Sequence, residues 1–353
     1  MKLTAPWMMA FGLSCALSVS SPLAEQSVAQ AAPADAAPAA APADAAPAAA
    51  PAEAAAPAAP QVSAGTAPAS RPIARLYLGS LSVIRLNPVG LETQNKIAFN
   101  HKLYASSNPF LANNFLELAA MLKLNPAYLK VGPLVELQPA SVFNLRLGYE
   151  YLRFFGTVNY LQSYDLPSAD YSDPTRNDVT DALAYATSGH HLFAEPTLQM
   201  KLGAIAVRAK WAFEYWNMGL NDSDANGVMD TVFYDATLDT LVPGNGFIWT
   251  QETQLVYAKN RLTVGLQYNA VHPVYGEAQG ASELAEGFDL TTHRKIGPLI
   301  AYAFNTREFT KYNRPTLLLS TGYYVKHQYR DSISTPYILV GFAFNSDLAK
   351  LKR

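Results

Sequence analysis

Charged side chains recur at alternate positions within apolar stretches of this sequence. In "AVRAKWAFEYW", residues 206–216, Arg208, Lys210 and Glu214 share one parity, whereas the other parity is apolar or aromatic. Successive side chains of an extended strand point to opposite faces, so this stretch predicts a strand with one charged and one apolar face. Opposed cationic and carboxylate groups on one face can line an aqueous passage for ions, or they can neutralise one another as ion pairs.

The same alternation elsewhere predicts a larger set of residues on the charged face. Glu117 and Lys123 alternate with leucines in "FLELAAMLKL", and Arg146 and Glu150 alternate with apolar residues in "FNLRLGYEY". The predicted lumen-lining set is Glu117, Lys123, Lys130, Glu136, Arg146, Glu150, Glu195, Lys201, Arg208, Lys210, Glu214, Glu252, Lys295 and Lys326. These side chains predict either a mixed-charge pore with a slight preference for anions or a network that seals the interior.

Six histidines raise the question of catalysis: His101, His190, His191, His272, His293 and His327. A nucleophile needs a base within hydrogen-bond reach and a further group that orients the base. No segment combines Ser, His and Asp or Asn in a recognisable motif, and the adjacent His190 and His191 must point to opposite faces of a strand. The sequence therefore predicts no enzyme, with a membrane-embedded lipid hydrolase as the alternative.

One acidic segment has the spacing of a calcium loop. In "DSDANGVMD", Asp222, Asp224, Asn226 and Asp230 occupy positions one, three, five and nine. Phe233 stands where an EF-hand carries its bidentate Glu, which excludes that motif. A shorter calcium site in an external loop remains an expectation, beside a loop built from Asx turns. No other cofactor is predicted.

Composition restricts the class of protein. The 353 residues are 50% hydrophobic and only 15% charged, with a formal net charge of -2, and the charged fraction lies below the typical value of about 25%. No basic cluster suggests a nucleic-acid partner. The single cysteine, Cys15, lies in the N-terminal leader, so no disulfide is expected in the folded part.

The N-terminal region predicts export followed by a linker. Residues 1–24 combine a Lys, a short apolar run and small residues, which is typical of a signal peptide, with cleavage possible up to residue 29. Residues 25–72 are mostly Ala and Pro and contain the repeat "APADAAPAA". Such a segment cannot build a core, so it predicts a disordered tether.

Residues 73–344 have the sequence pattern of a transmembrane β-barrel. No stretch approaches twenty apolar residues, so helical membrane spans are not expected. Segments of about ten residues alternate between apolar and polar positions, and ten residues is the length that a tilted transmembrane strand needs. Short connections alternate with long polar ones, at about 163–189, 217–245 and 273–293. The count predicts an antiparallel up-and-down barrel of about twelve strands, with its apolar parity facing lipid.

Aromatic residues are expected to form two girdles at the depth of the lipid headgroups. The predicted girdle residues are Tyr149, Tyr151, Phe213, Tyr215, Trp249 and Tyr337 toward the external ends of strands, and Tyr302, Phe304, Phe342 and Phe344 toward the periplasmic ends.

The leader, the alternation, the asymmetric connections and the strand-final "GFAF" together resemble Gram-negative outer-membrane β-barrel proteins, although no single functional family matches. The resemblance implies a porin-like location in the outer membrane, with lipids and the barrel assembly machinery as partners. In that location the Ala/Pro-rich segment predicts a disordered periplasmic spacer, and the alternative is a tether that contacts peptidoglycan or periplasmic proteins. Proteins of this class usually end on the aromatic residue, whereas residues 345–353 follow Phe344 here and predict a short polar tail.

Three prolines conflict with a simple ladder. "KVGPLV" at 130–135 and "KIGPLI" at 295–300 are near copies that place Pro within a strand, as does Pro196. Because Pro cannot donate a ladder hydrogen bond, a Gly-Pro bulge is expected at these positions.

Three functions remain open from the sequence. A porin-like channel for small polar solutes is the leading interpretation. The alternatives are an anchoring component of an envelope-spanning complex for secretion, adhesion or motility, and the lipid hydrolase.

Overall fold

Alternating polarity along the chain produces a barrel because each strand has one face for lipid and one for the interior. The computed structural model describes residues 72–158, 160–178, 184–223, 225–284, 289, 291–330 and 336–352. The predicted signal peptide and nearly all of the predicted tether, residues 1–71, lie outside the described residues. Twelve antiparallel strands form one closed barrel. The predicted fold class and strand number are therefore confirmed.

The barrel strands follow one another around the wall in chain order. They are β1 (Ala74–Leu86), β2 (Gly90–His101), β3 (Phe115–Asn125), β4 (Tyr128–Ala140), β5 (Phe143–Phe155), β7 (Ala186–Leu202), β8 (Ile205–Met218), β11 (Asn245–Lys259), β12 (Leu262–Val274), β13 (His293–Ala303), β14 (Asn313–Lys326) and β15 (Tyr337–Lys352). The first and last strands pair with each other, from Ala74 opposite Lys352 to Leu86 opposite Ile338, so the barrel has no free edge.

The two ends of the barrel differ in their connections. Both the start of β1 and the end of β15 lie at one end, together with two links of intermediate length, 102–114 and 304–312, and the short links at 141–142, 203–204 and 260–261. The opposite end carries the long connections 156–185, 219–244 and 275–292. This asymmetry is typical of outer-membrane barrels, in which the short turns are periplasmic and the long loops external.

Two of the long connections fold together over the external end. They contribute β6 (Ser163–Tyr164), β9 (Val232–Asp235) and β10 (Thr240–Pro243), which form a separate three-stranded sheet. The β9–β10 hairpin is fully buried along both strands. Two short helices, α1 (Pro109–Ala112) and α2 (Asp173–Asp178), complete the regular structure outside the barrel, with 3-10 turns at 277–279 and 281–283.

The last strand is longer than the sequence predicted. Residues 345–352, predicted as a polar tail, continue β15 and pair with β1. Asp347 contacts Arg75 of β1 at 3.4 Å, and Asn313 of β14 donates to the same carboxylate at 3.0 Å. The polar side chains that suggested a tail therefore extend the barrel wall at the periplasmic end.

The proline positions also differ from the prediction. No register shift occurs at Gly132–Pro133, and the pairing of β4 with β3 continues through both residues. On the β5 side the ladder is interrupted between Val131 and Leu134 without a change in register. At Pro298 the pairing with β12 is continuous and the ladder to β14 is interrupted, again without a change in register. At Pro196 the pairing with β5 is continuous and the ladder to β8 is interrupted in the same way. Because proline has no backbone N–H to donate, hydrogen bonds are lost to only one of the two neighbouring strands. The strands stay in register, so the predicted Gly-Pro bulge does not form.

The two parities of the wall have opposite environments. Large apolar side chains such as Leu118, Leu198 and Leu266 are exposed on the outer surface, whereas the alternating polar and charged positions are buried inside. Within the described part of the chain, no helix has the length and apolar character needed to cross a membrane.

Candidate functional site: the barrel interior

A layer of paired charges fills the interior beside β2 and β3. Glu117 accepts hydrogen bonds from the Lys96 ammonium at 2.5 Å, the Tyr77 hydroxyl at 2.6 Å and the Asn100 amide at 3.0 Å. Lys96 and Glu117 are only 2% and 1% exposed. Lys96 also lies 3.7 Å from Glu136, which carries the network to β4.

A second group of charges lies between β3, β5, β7 and β8. The Glu150 carboxylate contacts the Lys123 ammonium at 2.6 Å and Nδ1 of His191 at 3.1 Å. Nε2 of His191 contacts Glu214 at 3.1 Å, and the indole of Trp216 donates to the same carboxylate at 3.2 Å. His191 and Glu150 are completely buried. The imidazole thus bridges two carboxylates across three strands.

A third group extends the first toward β8. Arg146 forms an ion pair with Glu195, and its Nε lies 3.9 Å from Glu136. Lys210 approaches the other oxygen of Glu195 at 3.6 Å. All four side chains are buried, so the ion pairs continue from β2 to β8.

An apolar cluster lies on the side of the interior formed by β1, β11 and β13–β15. Leu81 and Val83 of β1, Leu299 of β13, Leu318 of β14 and Leu339 of β15 are buried in one cluster, which also includes Val256 of β11. Inward-facing leucines that are fully buried cannot line a water-filled passage. This cluster is packed like the core of a soluble protein.

The β9–β10 hairpin packs against the inner wall from the external end. Phe233, Leu238 and Val242 of the hairpin share a buried cluster with Tyr128 and Trp216 of the wall. The Phe233 and Trp216 rings lie 5.7 Å apart.

Polar contacts hold the hairpin tip in place. Arg85 of β1 donates to the Thr237 hydroxyl at 3.1 Å, and the carbonyl of Leu238 contacts His293 of β13 at 2.5 Å. Asp239 accepts from Tyr324 at 2.7 Å and from Arg330 at 2.9 Å, and it lies 3.2 Å from His327. The tip is thus tied to β1, β13, β14 and the loop that follows β14.

The carboxylate of Asp239 is the centre of these contacts. Burial alone would raise the pKa of Asp239, but the adjacent His327 and Arg330 outweigh burial and hold this pKa well below its usual value. The group therefore stays ionised and keeps the hairpin attached to the rim.

Most of the predicted lumen residues lie in the buried interior. Those that are buried are Glu117, Lys123, Lys130, Glu136, Arg146, Glu150, Glu195, Lys210, Glu214, Glu252 and Lys295. Arg208 and Lys201 are partly exposed, and Arg208 contacts Glu252 at 2.9 Å. Lys326 lies at the external rim, where it pairs with the exposed Asp289.

The predicted aromatic residues lie on the outer surface with one exception. Tyr302, Phe304, Phe342 and Phe344 form a chain of ring contacts with centroid distances of 5.6, 6.4 and 6.2 Å. Toward the external end, Tyr151 and Phe213 are exposed, Tyr149 contacts His190, Tyr215 packs on Phe247, and Trp249 stacks on His272.

Tyr337 is the exception, and its assignment to the girdle is wrong. It shares the inward parity of Leu339, is 4% exposed, and covers the Lys295 ammonium at 3.8 Å from the ring centroid. The position at a strand end suggested a girdle, but the parity of β15 directs the ring inward.

The predicted calcium residues make local contacts. Asp222 accepts from the backbone amides of Asn226 at 3.0 Å and Gly227 at 2.7 Å, which is an Asx-type arrangement. Asp230 accepts from Ser163, and Asp224 lies outside the described residues. Among the residues that the structure describes, no group of three or more His, Cys, Asp or Glu could hold a metal. The calcium site stays a prediction.

The histidines have different environments. His190 is exposed on the lipid-facing side and His191 is buried inside, as their adjacent positions in a strand require. His293 and His327 contact the hairpin tip. These contacts give the buried histidines structural roles, and the absence of enzymatic activity stays a prediction.

Several interior residues were missed in the sequence. Glu92 and Lys96 alternate on β2 in "GLETQNKIAFNH", but the outward positions Thr93 and Asn95 are polar as well, which hides the alternation. The role of Asp239 could not be found from any local pattern, because its partners are 85 and 91 residues away.

Comparisons with known proteins add little to this description. No protein-family model matches the sequence, and no curated protein is similar enough to count as a relative. The outer membrane protein OprD from Pseudomonas aeruginosa is similar at 9% identity over 78% of this chain and 94% of that chain, with a TM-score of 0.28. The Pseudomonas putida toluene transporter TodX is similar at 8% identity over 78% of this chain and 89% of that chain, with a TM-score of 0.32. BamA from Haemophilus ducreyi lacking POTRA domains 1-3 is similar at 10% identity over 79% of this chain and 71% of that chain, with a TM-score of 0.33.

The architecture rests on the strand pairing of the chain itself. An even number of antiparallel strands, an apolar exterior with aromatic residues toward both ends, and an ionic interior are the defining features of one class of membrane protein. The prediction from the sequence is confirmed: this chain is a β-barrel of the outer-membrane type.

Proposed function

We propose that this chain is an outer-membrane channel whose lumen is closed in the conformation described here. The observation that carries the proposal is the dry contact of Glu150 with Lys123 and His191, with all three side chains at most 2% exposed. A conducting pore would keep such charges in water. Their burial supports a barrel that does not pass solutes in this state.

The β9–β10 hairpin would act as the outer closure. It belongs to the long connection 219–244, and noncovalent contacts from Arg85, His327 and Arg330 hold its tip. A segment held in this way can leave the wall without unfolding the barrel. The charged face behind it would then favour small polar solutes, as the sequence predicts.

Uptake by liposomes tests the proposal. The purified protein and a variant in which a Gly-Ser linker replaces Val232–Pro243 are compared for influx of small sugars and amino acids. We expect no influx with the intact chain and measurable influx with the variant. A variant shortened within the external segment 277–279 serves as the control and should stay closed. Rapid influx through the intact chain would contradict the proposal.

One observation favours a second function. Besides the hairpin, the ion pairs and the apolar cluster around Leu299 fill the barrel, so removal of the hairpin need not open it. Such a barrel would serve as the anchor of an envelope complex, and Ala74, where the wall begins, lies at the end with short turns. An absence of solute influx through the variant without the hairpin would favour this function. Recovery of crosslinked periplasmic proteins only when residues 31–70 are present would support it directly.

A further inference from the structure

A polar patch lies in the middle of the lipid-facing surface. It consists of Ser80 and Ser82 on β1 and Thr93 and Asn95 on β2, and we refer to it as the belt patch. Ser80 pairs with Asn95 and Ser82 with Thr93, so the four side chains form two adjacent rungs. Their parity is that of the exposed Ile84 and Ile97, and opposite to that of the buried Val83 and Lys96. The belt patch therefore faces outward.

The depth of the belt patch makes it costly in a bilayer. Ser80 lies midway along β1 and Asn95 midway along β2. Exposed apolar residues continue the same face toward both ends, with Leu91 on one side and Phe99 on the other. At this depth the hydrocarbon offers no hydrogen-bond partner, and a polar group is favourable only if protein provides one.

The belt patch satisfies only part of its own hydrogen-bonding capacity. The Ser82 and Thr93 hydroxyls bond to each other at 3.1 Å. Among the described residues, none donates to or accepts from the Asn95 carboxamide. The other polar pair on the belt behaves differently, because Gln251 donates to its neighbour Thr253 at 3.3 Å. Asn95 is therefore the group that requires a partner from outside the chain.

We propose that the belt patch is the contact surface for a second copy of this chain in the membrane. A carboxamide is donor and acceptor at once, so two Asn95 side chains facing each other across a two-fold axis satisfy both groups. The small side chains of Ser80 and Ser82 allow the two walls to approach closely, and Phe342 and Phe344 of β15 pair beside these two serines and add apolar contact. A second copy presents the same four residues, which a lipid cannot do.

This contact is independent of the proposed closure of the lumen. All four residues lie on the outer face of β1 and β2, and none belongs to the interior network or to the hairpin. A dimeric barrel could be open or closed, so the two proposals fail separately.

Oligomeric state in mild detergent and in proteoliposomes tests the assignment. We expect a dimer for the unmodified chain and at least a tenfold weaker association for Asn95→Leu, because leucine removes the hydrogen bonds and is well solvated by lipid. Gln251→Leu is the matched control, since it removes a polar side chain from the same belt, and it should leave association unchanged. A monomeric unmodified chain, or equal loss in both variants, would overturn the proposal.

Disulfide crosslinking provides a second readout that does not depend on affinity. On a Cys15→Ser background, Ser80→Cys should give a covalent dimer under mild oxidation, whereas Leu266→Cys on the outer face of β12, four strands from β1, should not. Heat-modifiable gel mobility verifies that each variant is folded. Equal crosslinking at both positions, or crosslinks only to a different protein, would contradict self-association through the belt patch.

Discussion

Most charges in the interior have an oppositely charged partner, whereas the ammonium groups of Lys130 and Lys295 lie against aromatic rings. Glu150 contacts Lys123 and His191, and all three side chains are buried, so loss of one partner leaves another group buried and uncompensated. Removing one member of a buried ion pair typically costs about 3–5 kcal/mol.

We expect Glu150→Ala to lower the free energy of unfolding by an amount in this range, about 3–5 kcal/mol. Urea unfolding in proteoliposomes measures the change. Glu308→Ala is the control, because its pair with Arg314 is partly exposed at 26% and 15% and should contribute under about 1 kcal/mol. Equal losses in the two variants would mean that the interior pairs are hydrated.

The ionisation of the Asp239 carboxylate determines how this residue contributes to the stability of the hairpin as pH changes. Its pKa in the folded protein lies well below the usual value, because His327 and Arg330 outweigh burial. A lowered pKa gives stability that is fully present above the unfolded pKa of about 3.9 and is lost as pH falls through the folded pKa. The contribution of Asp239 to the protection of residues 232–243 against hydrogen exchange should therefore be the same at about pH 7 and pH 5.

Asp239→Asn should weaken that protection at neutral pH by about 1–3 kcal/mol, because the charge-assisted bonds to Arg330 and His327 are lost. Asp289→Asn, which alters an exposed ion pair at the same rim, is the control. If the difference in protection between the unmodified chain and Asp239→Asn disappeared at pH 5, the Asp239 carboxylate would not be held ionised in the folded protein.

Residue types predicted the environment of most side chains but not their partners. The parity of Glu117 and Lys123 along one strand was sufficient to assign them to the interior. Parity gives no information on distances between strands, so the pairing of Glu150 with His191, or of Lys96 with Glu117, required the structure. Tyr337 was misassigned because its position at a strand end was weighed above its parity.

At the scale of elements, the Gly-Pro sequences mark close approaches between strands. A Cβ atom on Gly297 would lie 1.9 Å from the carbonyl oxygen of Thr321, and one on Gly132 would lie 1.9 Å from that of Tyr149. The absence of a side chain lets the strands stay in register where proline cannot donate. The near identity of the two segments thus reflects the same local requirement.

Gly297→Ala should destabilise the barrel by about 1–3 kcal/mol, because the neighbouring backbone must move apart. Gly276→Ala is the matched control, since its new Cβ would meet only Gln279 at 3.7 Å. Folding yield and urea midpoint in detergent micelles report the difference. Equal stability of the two variants would show that β13 and β14 can separate freely at this point.

The strands were predictable where polarity alternates and less so where it does not. β3, β5 and β8 have apolar outer faces, and their existence and orientation follow from the sequence. β2 carries polar residues on both faces, and the end of β15 reads as a polar tail, so neither was fully recognised. The β9–β10 hairpin could not be predicted because its burial depends on contacts with distant strands.

At the scale of the whole molecule, the barrel has the polarity of a soluble domain turned inside out. Its outer face is apolar and carries a chain of aromatic contacts from Tyr302 to Phe344, and its ionic face is enclosed. The sequence predicted this arrangement and about twelve strands. It could not decide between a pore and a sealed interior, because the answer depends on how side chains meet across the lumen.

Single-channel recording in planar bilayers tests the closed interior most directly. Insertion is verified by heat-modifiable mobility, and current is followed across a range of voltages at neutral pH. We expect the intact chain to carry no steady current. A stable ohmic current in most insertions would show that the interior holds a continuous water-filled path, and would contradict a lumen closed by buried ion pairs.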